Sequence, residues 1–323
     1  MPTLIVAATS PGAGKTTITA AIADHVSSGG RSVVAGQAWS GASNTDVDSL
    51  RTVLGDTVSV QAGSTSAQLD GAVTVLKQVA GQGVIVVVEG KTGDDAANLA
   101  LAEASDALVL LVAKPGDNIM ESASSYGSRL AGVVINNVPR YRSHELEAKV
   151  IPALNQANIT VVGWIPEDRR LVAPSLRTVA EHLGGEIVAN EENADRLIDN
   201  FLIGGMVLDW GPFYFGSREN VGVVVRGDRP DVQLAALQTD TVRAMVLTKG
   251  ARPVEYVVYE ANQRGIPLVQ TPGTTEQTTE QLTGMIEKIR FDHPDKLARM
   301  REIASERLDL AALDSALSQP ATR

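Results

Sequence analysis

Residues 4–17 read LIVAATSPGAGKTT, and this stretch decides the fold. Leu4–Thr9 is an uninterrupted apolar run, which predicts a strand buried on both faces. Ser10–Lys15 is a short loop with two glycines, and Thr16–Val26 carries apolar residues at helical spacing. A buried strand that leads through a glycine loop directly into a helix is typical of a parallel α/β sheet.

Similar units follow outward from this stretch. Runs rich in Val and Ile alternate with segments of helical spacing, so the predicted fold class is α/β, a doubly wound and mostly parallel sheet. Further strands are predicted at Ser32–Gly36, Val84–Val88, Ala107–Val112, Gly132–Asn137 and Ile159–Ile165. Further helices are predicted at Ala67–Val79, Asp95–Ala104, Asn118–Leu130 and His144–Ala157.

The pattern restarts after Asp209–Asn220, a stretch rich in Gly, Pro and aromatic residues. Three more strands are predicted at Val221–Val225, Ala244–Thr248 and Pro267–Thr271. The tail Pro294–Ser318 predicts one or two packing helices. We therefore predict a first domain over residues 1–205 and a smaller α/β domain with a helical tail over residues 206–323.

The glycine loop has the chemistry of a phosphate-binding loop. Glycines let the backbone curl so that consecutive N–H groups face one anion, and the following helix adds its positive dipole end. Lys15 can reach the terminal phosphates of a nucleotide, and the Thr16 hydroxyl can bind Mg²⁺. The alternative is a glycine-rich turn with a surface lysine, since the full motif has Gly where Thr9 stands. The predicted phosphate-binding residues are Ser10, Gly12, Ala13, Gly14, Lys15, Thr16 and Thr17.

Acidic residues near two strand ends are candidate metal ligands. Glu89 follows the strand Val84–Val88, and carboxyl ends of parallel strands line the crevice where such sheets bind ligands. Its alternative role is to cap a helix. Asp46 and Asp48 lie in a polar loop that is either a turn or a metal contact. The predicted metal ligands are Thr16, Asp48 and Glu89, and the predicted catalytic residues are Lys15, Glu89 and Lys91.

The composition excludes several classes of protein. With 323 residues, 44% of them hydrophobic, the chain can bury two cores, which excludes a disordered protein. A net charge of −10 and only 4% aromatic residues disfavour nucleic acid and anionic membranes as partners. The absence of cysteine excludes disulfides and thiolate sites. Without a long apolar run or a basic N-terminal stretch, we expect a soluble, cytoplasmic protein.

Several segments resemble a known family. Ala8–Thr17, Thr45–Leu50 and Val88–Gly90 resemble the P-loop domain of dethiobiotin synthetase-like proteins. More closely, they resemble the N-terminal domain of long bacterial phosphate acetyltransferases. Gly132–Pro139 and Gly163–Arg169 continue this match. The resemblance implies a nucleotide-binding domain that takes ATP with Mg²⁺.

The resemblance also implies where the base of the nucleotide lies. In the synthetase-like family, the Asn that follows the Gly-Val-Val strand faces the adenine, and in this chain that residue is Asn136. Ile165 and Pro166 end the next strand and would lie beside it. This relation implies ATP rather than GTP, a choice that the phosphate loop alone leaves open.

The second predicted domain resembles the DRTGG domain, which accompanies the P-loop domain in those acetyltransferases. The matching residues are Gly227–Asp231 and Leu247–Gly250, with Lys249 where the family usually has Gly. These positions follow or end parallel strands, which predicts a ligand edge. The predicted residues for a small-molecule ligand are Asp228, Arg229, Thr248 and Lys249. The alternative is that Asp228 and Arg229 form a local ion pair that shapes a turn.

The resemblances imply a regulatory protein that binds ATP and Mg²⁺ in one domain and a small ligand or partner in the other. One alternative is an ATP-dependent, carboxylate-activating ligase of the dethiobiotin or cobyrinate amide synthetase type. That family's Lys-Pro pair is absent from Gly36–Gly41, so Lys91 would have to replace the lysine. Another alternative is a non-catalytic subunit of a separate acetyltransferase, since acetyl transfer is not expected without the catalytic domain. A homodimer is compatible with all three.

Overall fold

The computed structural model describes residues 2–39, 45–61, 63–64, 68–205, 210–285 and 288–318. The chain divides into two compact units, Met1–Asp168 with Phe291–Arg323, and Arg169–Arg290. Ser40 and Gly41 of the loop after the second strand, and Asp209 of the aromatic stretch, lie outside the described residues.

The first unit is built on a seven-stranded parallel sheet. Its strands are β1 (Thr3–Ala8), β2 (Val33–Gln37), β3 (Ser59–Gln61), β4 (Ile85–Thr92), β5 (Leu108–Ala113), β6 (Leu130–Val138) and β7 (Val161–Pro166). Their order is β3-β2-β4-β1-β5-β6-β7, and every neighbouring pair is parallel. The central strands are buried along nearly their whole length because helices cover both faces. The predicted α/β fold is confirmed; the short, half-exposed edge strand β3 was not predicted.

Helices line both faces of this sheet. They are α1 (Lys15–Ser28), α2 (Thr45–Leu54), α3 (Leu69–Ala80), α4 (Asp95–Ser105), α5 (Ile119–Ser125), α6 (Ser143–Glu145), α7 (Ile151–Gln156), and, much later in the chain, α13 (Pro294–Arg307) and α14 (Leu310–Ala316). α1 packs against α2 and α13, whereas α4 packs against α3 and α5. Within the described ranges, no helix has the length and apolar character needed to cross a bilayer.

The predicted helix His144–Ala157 is interrupted in the structure. A π-helical segment, Leu146–Val150, separates α6 from α7. The i→i+5 hydrogen bonds of a π-helix widen the turn, and such segments are frequent at functional sites. Leu146 and Leu154 still point inward and are buried against the sheet.

The second unit has a five-stranded sheet in the order β8-β12-β11-β10-β9. Its strands are β8 (Glu186–Ala189), β9 (Asn200–Gly204), β10 (Val221–Arg226), β11 (Val242–Thr248) and β12 (Leu268–Gln270). Only β8 is antiparallel to its neighbour. Its helices are α8 (Leu176–Leu183), α9 (Gly211–Phe215), α10 (Pro230–Leu237), α11 (Glu255–Arg264) and α12 (Thr275–Met285). α8 and α12 pack on one face of the sheet, and α9, α10 and α11 pack on the other.

The division between the units differs from the predicted boundary at residue 205. β9 pairs with β10 along its length, from Asn200 opposite Val221 to Gly204 opposite Val225, so it belongs to the second unit. The tail does not belong there. It returns to the first unit, where α13 packs on α1 and α2 and the Asp309 amide donates to the Val162 carbonyl at 2.8 Å.

Candidate functional site

The loop between β1 and α1 has the backbone geometry that a phosphate loop requires. Gly14 has a φ of +93°, in the left-handed region that favours glycine. A Cβ added there would lie only 2.1 Å from the Asn136 Nδ2 atom, so a larger residue would collide. The structure brings all seven predicted phosphate-binding residues to this loop and the first turn of α1.

Lys15, the first residue of α1, reaches across to the neighbouring strand β4. Its ammonium Nζ donates a hydrogen bond of 2.6 Å to the Gly90 carbonyl. Burial lowers the pKa of Lys15, while the nearby carboxylates of Glu89 and Asp46 raise it in part. The ammonium group is therefore partly desolvated and lies in an acidic surrounding.

Glu89 on β4 is a buried carboxylate without an adequate partner. Its side chain is 2% exposed, and neither carboxylate oxygen has a hydrogen bond of ordinary geometry with a described residue. Burial raises the pKa of Glu89 to about 7, although Lys15 and the polar groups of Thr16 and Gln37 oppose the shift. Buried polar atoms are nearly always paired in native proteins, so this exception points to a missing ligand.

Asp46, and not Asp48, is the acidic residue that α2 brings to Glu89. The Gln37 Nε2 atom donates to the Asp46 carboxylate at 3.3 Å, and the charge of Asp46 acts on both Lys15 and Glu89. Asp48 lies two residues further along the same helix and therefore on another face. It is exposed and pairs with Arg51 at 3.2 Å, so the structure does not bring this predicted metal ligand to the site.

Lys91 does not point toward Lys15. Its ammonium lies 4.9 Å from the centre of the Trp39 ring and 3.7 Å from the Asp94 carboxylate. The buried Asn98 side chain bonds both the N–H and the carbonyl of Lys91, each at 2.8 Å, and so fixes the end of β4. Sequence reasoning missed Asn98, which has no motif around it.

Asp117, in the loop after β5, holds the phosphate loop from the other side. Its carboxylate accepts hydrogen bonds from the Thr9 hydroxyl at 2.5 Å, and from the Ser10 hydroxyl and the Lys114 amide at 2.9 Å. Burial opposes its charge, but these donors together hold the pKa of Asp117 below its usual range. The full motif has Gly at the position of Thr9. The hydroxyl of this Thr, which needs a hydrogen-bond acceptor, was the only hint in the sequence of the contact with Asp117.

The predicted base-binding residues lie at the ends of β6 and β7. The Asn136 amide donates to the Ala13 carbonyl at 2.8 Å, so it braces the phosphate loop. Ile165 is fully buried, and Pro166 lies opposite Val138 in the β6–β7 pair. That these residues face an adenine stays a prediction.

The predicted ligand residues of the second unit pair locally. Asp228 forms a two-pronged ion pair with Arg226, and Arg229 forms one with Asp231, all of them exposed. The two residues therefore pair with their own neighbours and not with each other. The buried Thr248 hydroxyl lies 2.9 Å from that of Thr275. Lys249 is exposed and has a φ of +69°.

Within the described ranges, no three His, Asp or Glu side chains cluster as a ready-made metal site. The acidic pair Glu89 and Asp46 with the Thr16 hydroxyl is instead a partial oxygen donor set. Mg²⁺ commonly binds one or two carboxylates, keeps several waters and takes its other ligands from phosphates. The residues present fit that arrangement, with Glu89 supplying unpartnered oxygens.

Two family models match the chain and together cover most of it. The model for the CobQ/CobB/MinD/ParA nucleotide binding domain matches residues 4–178, and the model for the DRTGG domain matches residues 178–285. The first match contains the phosphate loop, Glu89 and Asn136. The second contains most of the second unit.

The similar curated proteins are phosphate acetyltransferases. The chain is 26% identical to the enzyme of Pseudomonas putida over 272 residues, 73% of this chain and 38% of that protein. It is 25% identical to the enzyme of Nitratidesulfovibrio vulgaris over 181 residues, 53% of this chain and 25% of that protein. The chain thus matches well under half the length of these relatives, consistent with their N-terminal region.

Similar solved structures cover about half of the chain. The MinC:MinD cell division protein complex of Aquifex aeolicus has a chain with a TM-score of 0.40 and 17% identity, over 53% of this chain and 84% of that one. The CBS and DRTGG domains of a Clostridium perfringens pyrophosphatase, complexed with the activator diadenosine tetraphosphate, give a TM-score of 0.32 and 16% identity, over 48% of this chain and 74% of that one.

Proposed function

Because the chain belongs to the CobQ/CobB/MinD/ParA nucleotide binding domain family, we propose that its first unit binds ATP with Mg²⁺ and that the protein is regulatory. The observation that carries the proposal is Glu89. Glu89 is 2% exposed, and a buried carboxylate whose oxygens have no hydrogen bond of ordinary geometry with a described residue is costly unless something binds there. A hydrated Mg²⁺ ion supplies both the charge and the hydrogen bonds that Glu89 lacks.

Lys15 supports the same proposal from the cationic side. Among the residues that the structure describes, its ammonium has one hydrogen bond, to the Gly90 carbonyl, and an ammonium has three donors. A nucleotide phosphate gives it a charged acceptor in exchange for a neutral one, and charge-assisted hydrogen bonds are about twice as strong. The loop N–H groups and the start of α1 add further positive potential.

The fit of Mg²⁺ follows from the oxygen atoms around Glu89. Thr16, Glu89 and Asp46 would hold the ion or its waters, and the ion would neutralise charge on the nucleotide phosphates. Glu89 would bind as a carboxylate, so metal binding requires it to lose its proton. Gln37 and Asp46, joined by a hydrogen bond, would orient the acidic side of the site.

The regulatory part of the proposal rests on where Lys91 lies. A ligase needs positive charge on a transferred phosphoryl group, but Lys91 stacks on Trp39 and faces Asp94. We therefore propose that ATP binding here reports to a partner or ligand, with the second unit taking a small molecule.

Calorimetric titration with a non-hydrolysable ATP analogue tests the nucleotide site. We expect Mg²⁺-dependent binding. Lys15→Ala should weaken it about 100-fold, because the hydrogen bonds between the Lys15 ammonium and the nucleotide phosphates are lost. Lys77→Ala, at an exposed lysine of α3, is the matched control and should bind as the wild type does. Equal affinity of Lys15→Ala and wild type, or no binding by either, would contradict the proposal.

A further inference from the structure

The second unit contains a cavity on the sheet face that α8 and α12 cover. Its volume is about 440 Å³, within the range of small-molecule sites. α8 packs over β8 and β12, and α12 packs over β10. The cavity lies beside α12, toward the edge strand β9, and the segment 169–174 supplies part of its wall. The lining residues that the structure describes all belong to the second unit, so the cavity is separate from Lys15 and Glu89.

The wall of the cavity presents hydrocarbon from both the sheet and the helix. Phe201 and Ile203 are two residues apart on β9, so their side chains point to the same face, and Val224 of β10 lies opposite Ile203. Leu282 and Met285, three residues apart on α12, line the cavity from the helix side. All of these residues except Ile203 belong to one hydrophobic cluster of this unit. The cavity therefore extends the apolar core toward the surface.

Two large apolar side chains of the cavity are exposed to solvent. Ile203 is 43% exposed and Val172 is 47% exposed, and both line the cavity. Single apolar residues on a surface are common, but these two border one concave apolar surface, which is the usual form of a ligand site. A ligand that covers Ile203 and Val172 would remove apolar surface from water, which is favourable.

The hydroxyl groups of the lining donate their hydrogen bonds within their own helix. The Thr279 hydroxyl donates to the Thr275 carbonyl at 2.7 Å, and the Thr283 hydroxyl donates to the Thr279 carbonyl at 2.9 Å. Both bonds return to the preceding turn of α12. These two hydroxyls therefore do not direct a donor into the cavity.

One acidic and one basic side chain line the cavity, Asp199 and Arg169. Each oxygen of the Asp199 carboxylate accepts a hydrogen bond, one from Arg170 at 3.0 Å and one from Asn220 at 2.8 Å. Arg169 is exposed, and its guanidinium donates to the Asn200 side chain at 2.7 Å. An ion pair with an exposed side chain contributes little, and a charged group that leaves water for an apolar wall is costly. The lining therefore favours an uncharged ligand.

We propose that this cavity binds an uncharged, hydrophobic small molecule. The hydrocarbon of the ligand would cover Ile203 and Val172 and lie against Leu282 and Met285. The flexible side chain of Met285 can adapt to ligands of different outline. The proposal deepens the proposed function, which gives the second unit a small-molecule ligand, and it rests on that function only for the regulatory role of the ligand.

Fluorescence titration of the full-length, nucleotide-free protein with N-phenyl-1-naphthylamine tests the site. This neutral probe emits strongly only in apolar surroundings, and we expect it to bind saturably. Ile203→Lys should weaken the binding about tenfold or more, because an ammonium group replaces apolar surface in the lining. Val254→Lys is the matched control, since Val254 is 50% exposed and lies outside the lining, and it should bind the probe as the wild type does.

A second pair of variants fills the cavity without altering a buried residue. Thr283→Trp places a ring at an exposed lining position of α12 and should abolish binding of the probe. Glu280→Trp, at an exposed position of the same helix outside the lining, should leave the binding unchanged. No saturable binding to the wild type, or an equal loss in a variant and its control, would overturn the proposal.

A charged analogue of the probe decides the chemical class. The compound 8-anilinonaphthalene-1-sulfonate has the same ring skeleton with an added sulfonate, and it should bind at least about tenfold more weakly. Equal or tighter binding of the sulfonate would overturn the assignment of an uncharged ligand and would indicate an anion held by Arg169.

Because the titration is run without nucleotide, it decides the cavity independently of the first unit. A protein that binds N-phenyl-1-naphthylamine as described but does not bind ADP would support the cavity and contradict the proposed nucleotide site. A protein that binds ADP but not the probe would overturn the cavity alone.

Discussion

The charged residues at the carboxyl edges of the two sheets differ in their burial and in their ion pairing. In the first unit, Lys15 is partly buried and Glu89 is buried, both have shifted pKa values, and Glu89 has no hydrogen-bond partner of ordinary geometry among the described residues. In the second unit, Asp228 and Arg229 are exposed, and each forms a two-pronged ion pair with a residue two positions away.

The difference teaches which charged strand ends indicate a ligand. Both sets of residues lie where α/β sheets bind ligands, so position alone does not separate them. Their contribution to the free energy of folding separates them. A buried carboxylate that lacks hydrogen bonds lowers stability, and a bound ligand offsets that loss, whereas an exposed ion pair changes stability little. The alternative that Asp228 and Arg229 form an ion pair with each other is wrong, because each pairs with a residue two positions away.

The largest effect is expected from a substitution of Glu89, because burial of its charged carboxylate lowers the stability of the folded protein. Between its ordinary pKa of 4.5 and about 7, the folded metal-free protein binds the proton more tightly than the unfolded chain, so stability falls as pH rises through this window. Glu89→Gln should remove that loss. We expect it to raise the free energy of unfolding by about 3 kcal/mol at pH 8 and hardly at all at pH 4.5.

Native-state hydrogen exchange of the β1 and β4 amides measures this effect within the first unit. A variant that is destabilised at pH 8, or stabilised equally at both pH values, would show that Glu89 is well accommodated and would remove the contrast with the second unit.

Gly90→Ala should sharpen the contrast by disturbing the backbone that holds Lys15. The new Cβ would lie 2.4 Å from the Asn98 Oδ1 atom and 2.9 Å from the Ile5 Cγ2 atom. Overpacking of this kind costs about 2 kcal/mol. Urea denaturation should show that loss, whereas the control Gly284→Ala, exposed on α12 with no atom within 4 Å of the new Cβ, should gain about 1 kcal/mol.

A smaller effect is expected at Lys249, in the second unit. Its φ of +69° is unfavourable for a side chain with a Cβ, by about 1 to 2 kcal/mol. Lys249→Gly relieves that cost but adds backbone freedom to the unfolded chain, so the net gain should be about 0.5 kcal/mol. Lys249→Ala keeps the strain and should show no gain in the same exchange experiment on β10 and β11.

The smallest effect is expected for Asp228→Asn. Its partner Arg226 lowers the pKa of Asp228, so any contribution of the pair is present at neutral pH and fades as pH falls through the lowered pKa. Because both groups are exposed, the melting temperature at pH 7 should match that of the wild type. A clear drop would mean that this edge is more than a local ion pair.

The fold could be predicted wherever strands are apolar along their whole length. β5, β1 from Leu4 onward and the first half of β4, Ile85–Val88, form such runs because helices cover both faces. β8 and β9 are short strands of four and five residues that are mostly only partly buried, and the sequence analysis did not identify them, so the domain boundary was placed too late. The return of α13 to the first unit depends on its packing partners, which helical spacing does not specify.

The site was predictable where a motif carries it. Lys15 and Glu89 follow from the loop and the strand end, whereas Asp117 meets Thr9 across 108 residues. The choice between Asp46 and Asp48 depends on where α2 begins. A segment interpreted as a loop could not show that the helix turns Asp48 toward Arg51.

The central claim is that the unpartnered Glu89 carboxylate awaits a Mg²⁺–nucleotide complex. Calorimetric titration of ADP at pH 8, with and without Mg²⁺, tests it most directly when wild type and Glu89→Gln are compared. We predict that Mg²⁺ tightens ADP binding to the wild type by about tenfold or more and leaves the affinity of Glu89→Gln unchanged. The same Mg²⁺ effect in both proteins would contradict the account.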